Sequence, residues 1–313
     1  MKYAFIINPT AGQGKGIDNL IEHINNVATR KNAEYSVHVT GGVGDAKLIS
    51  QMLAEEKEEL RIIVCGGDGT FNEAVNGVIG YDVPVGIVPI GTGNDFVRNF
   101  ENEDEFLDIE KQFDFEPVEV DLLKYKYEVD GVVIEKYCTN VFNIGFDGNV
   151  AILAGKLKEL PLIAGSFAYL SSIIFNLITK RGQTLMVTAD GEEFYKGSLL
   201  LCSIANGNYC GGGICSSPKA VTNDGLMDLQ IVKNLSRIKF LKLLPIYMKG
   251  EILNRPEVAD LIKFKQVQKV KIVPKDKTME YCVDGEPVTT GKIEIEIIEK
   301  GFKFLTKSCV NNK

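Results

Sequence analysis

The run Arg61-Ile62-Ile63-Val64-Cys65 ends directly in Gly66-Gly67-Asp68-Gly69-Thr70, and a helical pattern starts at Thr70 and continues to Ile79. A strand without polar alternation has to be covered on both faces, the usual situation of a parallel strand inside an α/β sheet. The glycines allow positive φ and close approach of the backbone to a phosphate. The helix that follows offers free N–H groups and the positive end of its dipole. Asp68 puts a carboxylate in the same place, which repels phosphate unless a cation such as Mg²⁺ intervenes. A tight strand-to-helix turn explains one such loop equally well.

A second loop repeats the ingredients. Gly91-Thr92-Gly93-Asn94-Asp95 follows the buried strand Val85–Pro89 and precedes a helical segment, Phe96–Phe100. Ligands of open α/β sheets bind beyond the carboxyl ends of the strands, so two Gly/Asp loops there describe a nucleotide and metal pocket. Neither loop has Walker A or dinucleotide-fingerprint spacing, and Gly12-Gln13-Gly14-Lys15-Gly16 also lacks the former.

Around these loops the chain alternates strand and helix: strand 3–8, helix 17–29, strand 35–40, helix 45–56, strand 61–65, helix 70–79 and strand 85–88. Such alternation builds a helix-covered parallel sheet. After Glu119 strands dominate, at 119–127, 132–143, 183–189, 194–204, 226–232, 267–273, 278–283 and 293–298. Asp130-Gly131 and Asp190-Gly191 are hairpin-type turns. The boundary between the two textures lies near residue 122. The apolar stretch Pro161–Ile178 reaches membrane-spanning length, but it carries Gly165, Ser166, Tyr169, Ser171, Ser172 and Asn176 and reads better as a helix in a core or an apolar cleft.

Composition narrows the function classes. The N-terminal apolar run is short and stops at Asn8-Pro9, so it reads as a strand rather than a signal peptide. Seven cysteines without a CxxC pair suit a reduced, cytoplasmic chain, and two histidines poorly supply zinc sites or triads. The net charge of −7 argues against nucleic acid. Yet Lys219–Lys277 holds 13 Lys/Arg against 6 Asp/Glu. A basic region on an acidic protein can face anionic lipid; a solvated lysine-rich surface accounts for the same count. The sequence leaves a homodimer open.

Asn8-Pro9 with Ala11-Gly12, then Gly66–Thr70, then Gly91–Asp95 resembles the catalytic domain of the diacylglycerol kinase superfamily, which includes sphingosine and ceramide kinases. The likeness continues through Asn143-Ile144-Gly145-Phe146-Asp147, Ala205-Asn206-Gly207-Asn208-Tyr209 with Gly211–Gly213, Pro218 leading to Asp224-Gly225-Leu226-Met227-Asp228, and Asp284-Gly285-Glu286. It covers nearly the whole chain and is most similar to soluble bacterial lipid kinases.

The resemblance implies a phosphofructokinase/NAD-kinase-like α/β domain at 1–122 plus 294–313 and a β-rich, sandwich-like lipid-substrate domain at 123–293. It implies ATP and Mg²⁺ as cofactors. Asn8, Thr40, Gly66, Gly67, Asp68, Gly69, Thr70, Gly91, Thr92, Gly93 and Asn94 would surround the nucleotide. Asp68, Asp95 and Asp121 resemble the acidic set that organises catalytic Mg²⁺ through water; as a bare residue Asp121 is a carboxylate near a strand start. Asp284 resembles the general base, with Glu286 orienting it, although Asp-Gly between two strands is also an ordinary hairpin turn. Asp224, with the carbonyls of Val221 and Leu226, resembles a structural Mg²⁺ site, or again a simple turn.

The expected activity is ATP- and Mg²⁺-dependent phosphorylation of diacylglycerol to phosphatidic acid by a cytoplasmic protein working at the membrane surface, without an integral span. Three alternatives stay open: a sphingosine- or ceramide-type kinase, an NAD kinase, whose second loop is typically Asn-Glu-rich, and a non-enzymatic lipid- or nucleotide-binding protein.

Overall fold

In the computed structural model, residues 1–14, 16–56, 59–145 and 183–307 are described. The chain forms two compact units, Met1–Asp121 with the residues from Glu299 onward, and Leu122–Ile298. The expected helix 161–178 lies outside the described residues.

The first unit begins β1 (Lys2–Ile7), α1 (Ile17–Arg30), β2 (Glu34–Val39), α2 (Asp45–Glu55), β3 (Leu60–Gly66), α3 (Asp68–Val78) and β4 (Val85–Pro89), with a short α4 (Ile109–Gln112) before β5 (Glu116–Val129). The strands β2, β1, β3 and β4 lie side by side in that order, all parallel. All seven residues of β3 are buried, as its unbroken apolar run requires. The packing of α3 on α2 depends on Gly77, where an added Cβ would collide with the carbonyl of Lys47 and sit 2.8 Å from Ser50 Cβ. The expected helix at 96–100 is only a single 3₁₀ turn, Val97–Asn99. Its flanking rings, Phe96 and Phe100, are drawn into an aromatic cluster instead, 5.0 and 4.6 Å from the ring of Phe304.

The second unit contains β6 (Val132–Cys138), β7 (Val141–Gly145), β8 (Gln183–Ala189), β9 (Glu192–Ala205), a small hairpin of β10 (Tyr209–Cys210) and β11 (Ile214–Cys215), β12 (Met227–Lys233), α5 (Arg237–Met248), β13 (Ile262–Val267), β14 (Lys269–Pro274), β15 (Met279–Val283), β16 (Glu286–Thr290) and the first part of β17 (Ile293–Thr306). Pairing here is antiparallel, in the order β16-β15-β7-β9-β8-β14-β17, with β12 joining β9 to β13. The core on one face includes Phe142, Ile204, Leu229 and Tyr281.

Three sequence expectations change. The strand expected at 132–143 is two strands, because the chain leaves its pairing with β5 at Cys138 and joins β9 and β15 from Val141. The strand expected at 267–273 starts only at Lys269, as β14, because Val267 ends a separate strand, β13. The return of the chain falls at Glu299 rather than at 294, because β17 first pairs with β14 over Ile293–Glu296 and only later with β4, at Phe304.

On the other face of the second sheet, Asn143, Ser203 and Gln230 stand opposite one another on β7, β9 and β12, and all three are buried. Next along β12, Asp228 is 1% exposed; its Oδ1 accepts from Gln266 Nε2 at 3.2 Å and its Oδ2 has no partner among the described residues. Burial pushes this carboxyl up to about 7, with Asp224 adding to the rise and Gln266 and Lys219 opposing it. The native state therefore keeps a proton that the unfolded chain, with an ordinary carboxyl near ~4, has already lost. Stability should fall as pH rises between those two values and stay reduced above about 7. Asp228→Asn removes the penalty. Melts in EDTA should show the variant gaining on the wild type from pH 5 to pH 8, by roughly 2–4 kcal/mol at the upper end. A gap that does not change with pH would refute the assignment.

Candidate functional site

Because the strands of the first unit are parallel, Asn8, Thr40 and Ile90, which follow their strands, and Gly66, which ends β3, lie at one edge of the sheet. Asn8 N–H donates to Cys65 O, Thr40 N–H to Ile7 O and Ile90 N–H to Gly66 O. Asn8 also reaches across with its amide, donating to Thr70 Oγ1 at 2.8 Å, while its Oδ1 accepts from Thr10 N and Oγ1. One asparagine thus ties the turn after β1 to the first turn of α3.

The two glycine loops touch backbone to backbone. A Cβ on Gly91 would collide with Gly67 Cα, and one on Gly67 would lie 3.2 Å from Gly91 Cα. A Cβ on Gly66 would lie 2.8 Å from Thr70 Cβ. Glycine at these positions is a steric requirement of the cradle. Asn94, in the left-handed region at φ 53, closes the second loop by donating to Pro89 O and Gly91 O. Thr92 stays exposed at the tip.

Helix α3 starts at Asp68 rather than at Thr70, with Gly67 extended before it. The Asp68 carboxylate turns to the second loop, where Oδ1 accepts Phe96 N–H at 3.0 Å and the amides of Asp95 and Asn94 add to its stabilisation. Burial outweighs these donors and raises its pKa. A Cβ on Gly93 would lie 3.0 Å from Asp68 Oδ2 and 3.3 Å from Asp95 Oδ2, so two carboxylates lie beside this glycine. Asp95 is buried and has Arg98 Nε 3.8 Å from its Oδ1. A pair of carboxylates beside glycine turns at a helix start suits Mg²⁺ carrying phosphate oxygens. Asp121 is 1% exposed, and its Oδ1 accepts Lys300 N–H at 2.8 Å. Among the described residues no three His, Cys, Asp or Glu side chains gather to hold a metal directly.

In the second unit, Asp224 Oδ1 accepts Leu226 N–H at 3.0 Å, a local turn. Near it, the Oδ2 of Asp228 and the buried Oγ1 of Thr222, both without a hydrogen-bond partner among the described residues, are acceptors that a cation could use. A groove of about 280 Å³ lined by Lys124, Lys126, Lys269, Lys271, Glu294 and Glu296 holds none of the residues singled out above. Its lysines are ion-paired to Glu135, Glu294 and Glu296.

Asp284 and Gly285, with φ of 45 and 90, form the mirror-image turn between β15 and β16. Glu286 opens β16 opposite Val283 and is exposed. The Asp284 carboxylate accepts five hydrogen bonds: from Thr139 N at 2.8 Å, Thr139 Oγ1 at 3.0 Å, Asn140 N at 3.1 Å, Val141 N at 2.9 Å and Cys138 Sγ at 3.2 Å. These backbone donors belong to the corner where the chain changes partners between β6 and β7. Burial raises the carboxyl's pKa and the donors lower it, with burial prevailing. Asp190 does the same work on a smaller scale, accepting Gln268 N–H and Lys269 N–H, both at 2.9 Å, where β13 passes into β14. The sequence showed both Asp-Gly turns but not the corners they hold.

This geometry gives a stability test. Asp284→Ala leaves three backbone N–H groups without an acceptor, and at ~1–3 kcal/mol for each unsatisfied buried donor the loss should be roughly 3 kcal/mol or more. Asp284→Asn keeps one acceptor oxygen and should lose less. Urea unfolding reads both, and an Ala variant as stable as the wild type would contradict the clamp.

Residues 2–125 match the family described as diacylglycerol kinase catalytic domain, and residues 140–305 match the YegS C-terminal NAD kinase beta sandwich-like domain. A diacylglycerol kinase of Bacillus subtilis (strain 168) is 28% identical over 299 residues, covering 91% of this chain and 90% of its own. One from Mycobacterium tuberculosis (strain CDC 1551 / Oshkosh) is 28% identical over 263 residues, 82% of each. A crystal structure of a candidate diacylglycerol kinase from Bacillus anthracis str. Sterne superposes with a TM-score of 0.74 at 25% identity, over 98% of this chain and 97% of that one. With both domains matched in order and the cradle residues in place, the chain belongs to the diacylglycerol kinase catalytic-domain superfamily, as a member with a YegS-type C-terminal domain.

Proposed function

We propose that this protein transfers the γ-phosphate of ATP to the hydroxyl of a lipid, with diacylglycerol as acceptor and phosphatidic acid as product, at a membrane surface. The observation that carries the reading is the cradle of the first unit, where two glycine loops meet with the carboxylates of Asp68 and Asp95 both beside Gly93. Phosphoryl transfer is mostly positioning and charge neutralisation, and this cradle offers both. Backbone amides of Gly67, Gly69, Gly91 and Gly93, the start of α3 and the hydroxyl of Thr92 would hold the phosphates, with Asn8 and Thr40 beside the nucleotide. Asp68 and Asp95 would hold Mg²⁺ through water, and Asp121 would contribute from β5. Mg²⁺ neutralises triphosphate charge when bound. Asp224, with the carbonyls of Val221 and Leu226, would hold a structural Mg²⁺.

Asp284 is the proposed base, and its surroundings set a condition. Two carboxylate oxygens offer about four lone-pair sites, and five donors already point at them. A lipid hydroxyl has to displace one. Thr139 Oγ1 and Cys138 Sγ are the donors that can leave, because a hydroxyl or a thiol rotates while the three backbone amides are fixed by the strand corner. Glu286, two residues on, would orient this base.

The test is transfer of label from γ-labelled ATP to a panel of acceptors. Diacylglycerol in mixed micelles should give labelled phosphatidic acid, and NAD and fructose 6-phosphate should give nothing. Labelled NADP would move the assignment to an NAD kinase, and a sphingoid product in place of phosphatidic acid would move the acceptor.

A further inference from the structure

Helix α5 is apolar on two sides. Phe240 and Tyr247 are buried against Leu201, Ile214, Val232 and Ile252 in a cluster beneath it. A helix of this kind in a water-soluble chain ordinarily turns polar residues outward. This one exposes Ile238 at 70%, Leu241 at 50% and Met248 at 37%. Pro245 is exposed with them. At 100° per residue, positions 238, 241, 245 and 248 fall within about 80° of the circumference. Lys239, Lys242 and Lys249 occupy the adjacent sector, are exposed, and take part in no ion pair among the described residues. From Lys233 to Lys249 there are five Lys/Arg and no Asp/Glu.

An exposed apolar stripe beside unpaired cations is the pattern of a helix that lies in a bilayer interface. The charge decides between occupants. A second copy docked by the same face would bring two sets of unpaired lysines together, which opposes association. An anionic lipid surface neutralises them. The exposed apolar residues Leu48 and Met52 on α2 have acidic Asp45 and Glu55 on the same helix and lack this complementarity.

We propose that α5 docks the protein on anionic membranes, with Ile238, Leu241 and Met248 entering the interface and Lys239, Lys242 and Lys249 contacting lipid phosphates. The proposal deepens the lipid-acceptor reading by naming the surface that meets the acceptor's bilayer, but docking itself needs no turnover.

The experiment is co-sedimentation of the full chain with phosphatidylcholine vesicles, with and without phosphatidylglycerol, in the absence of ATP. The wild type should bind the anionic vesicles and lose them as salt rises. Ile238→Ser/Leu241→Ser and, separately, Lys239→Gln/Lys242→Gln/Lys249→Gln should each weaken binding by about tenfold or more, with melting temperatures near the wild type because the replaced side chains are exposed. Wild-type vesicle binding by folded variants would overturn the proposal, and so would a dimer that Leu241→Ser dissolves while vesicles bind neither protein. Vesicle binding lost as expected in a protein that phosphorylates no lipid would sustain the docking helix and sink the kinase reading. Lipid phosphorylation in micelles with unaltered vesicle binding by the variants would do the reverse.

Discussion

The Asp68 carboxylate holds the second glycine loop by its free amides. It stands at the first residue of α3, directly after the fully buried β3, so its position is set by the most enclosed strand of the first unit. From there it accepts Phe96 N–H and draws on the neighbouring amides of the loop after β4. The two loops can lie this close only because Gly67 and Gly91 have no side chains. The same burial that fixes the carboxylate makes its charge costly, which is the condition under which a divalent cation and a triphosphate gain most from meeting there. Beneath the loop, Phe71 and Phe96 pack against each other and against the returning Phe304.

The second unit uses aspartate in a related way. At two corners where its chain leaves one strand partner for another, amides lose their ladder, and an Asp-Gly turn from a neighbouring hairpin takes them up. Asp190 does this at Gln268 and Lys269, and Asp284 does it at Thr139, Asn140 and Val141. Asp284 therefore has a structural duty that any catalytic duty must share. A carboxylate locked by backbone amides is held in one orientation, which favours catalysis, but it is also nearly saturated, which restricts it. Cys138 and Thr139 are the places where these demands meet.

The first unit was largely legible in the sequence because its determinants are local. An unbroken apolar run, glycines at its end and a helical pattern lie within a few residues of one another, and β1 to β4 appear where that pattern puts them, with α3 beginning two residues early. The second unit was legible as strands but not as pairings. The break at Thr139-Asn140 depends on a carboxylate 145 positions away, and nothing near residue 139 announces it. Asp121 illustrates the limit from the other side: its hydrogen bond to Lys300 spans 179 positions and gives the residue a fixed task that its strand-start context did not disclose. The buried row of Asn143, Ser203 and Gln230 was equally hidden, because each residue sits singly in an apolar strand and only the register lines them up.

The central claim is that Asp68 works through a cation at the junction of the two glycine loops. Asp68→Asn keeps an acceptor oxygen for Phe96 N–H and removes the charge, so it separates holding the loop from holding Mg²⁺. Turnover of this variant on diacylglycerol at saturating ATP and Mg²⁺, with its melting temperature checked, is the most direct measurement. The account predicts a folded protein whose kcat has fallen about a hundredfold or more, the scale of losing a main electrostatic contributor. A folded Asn variant with wild-type turnover would contradict it.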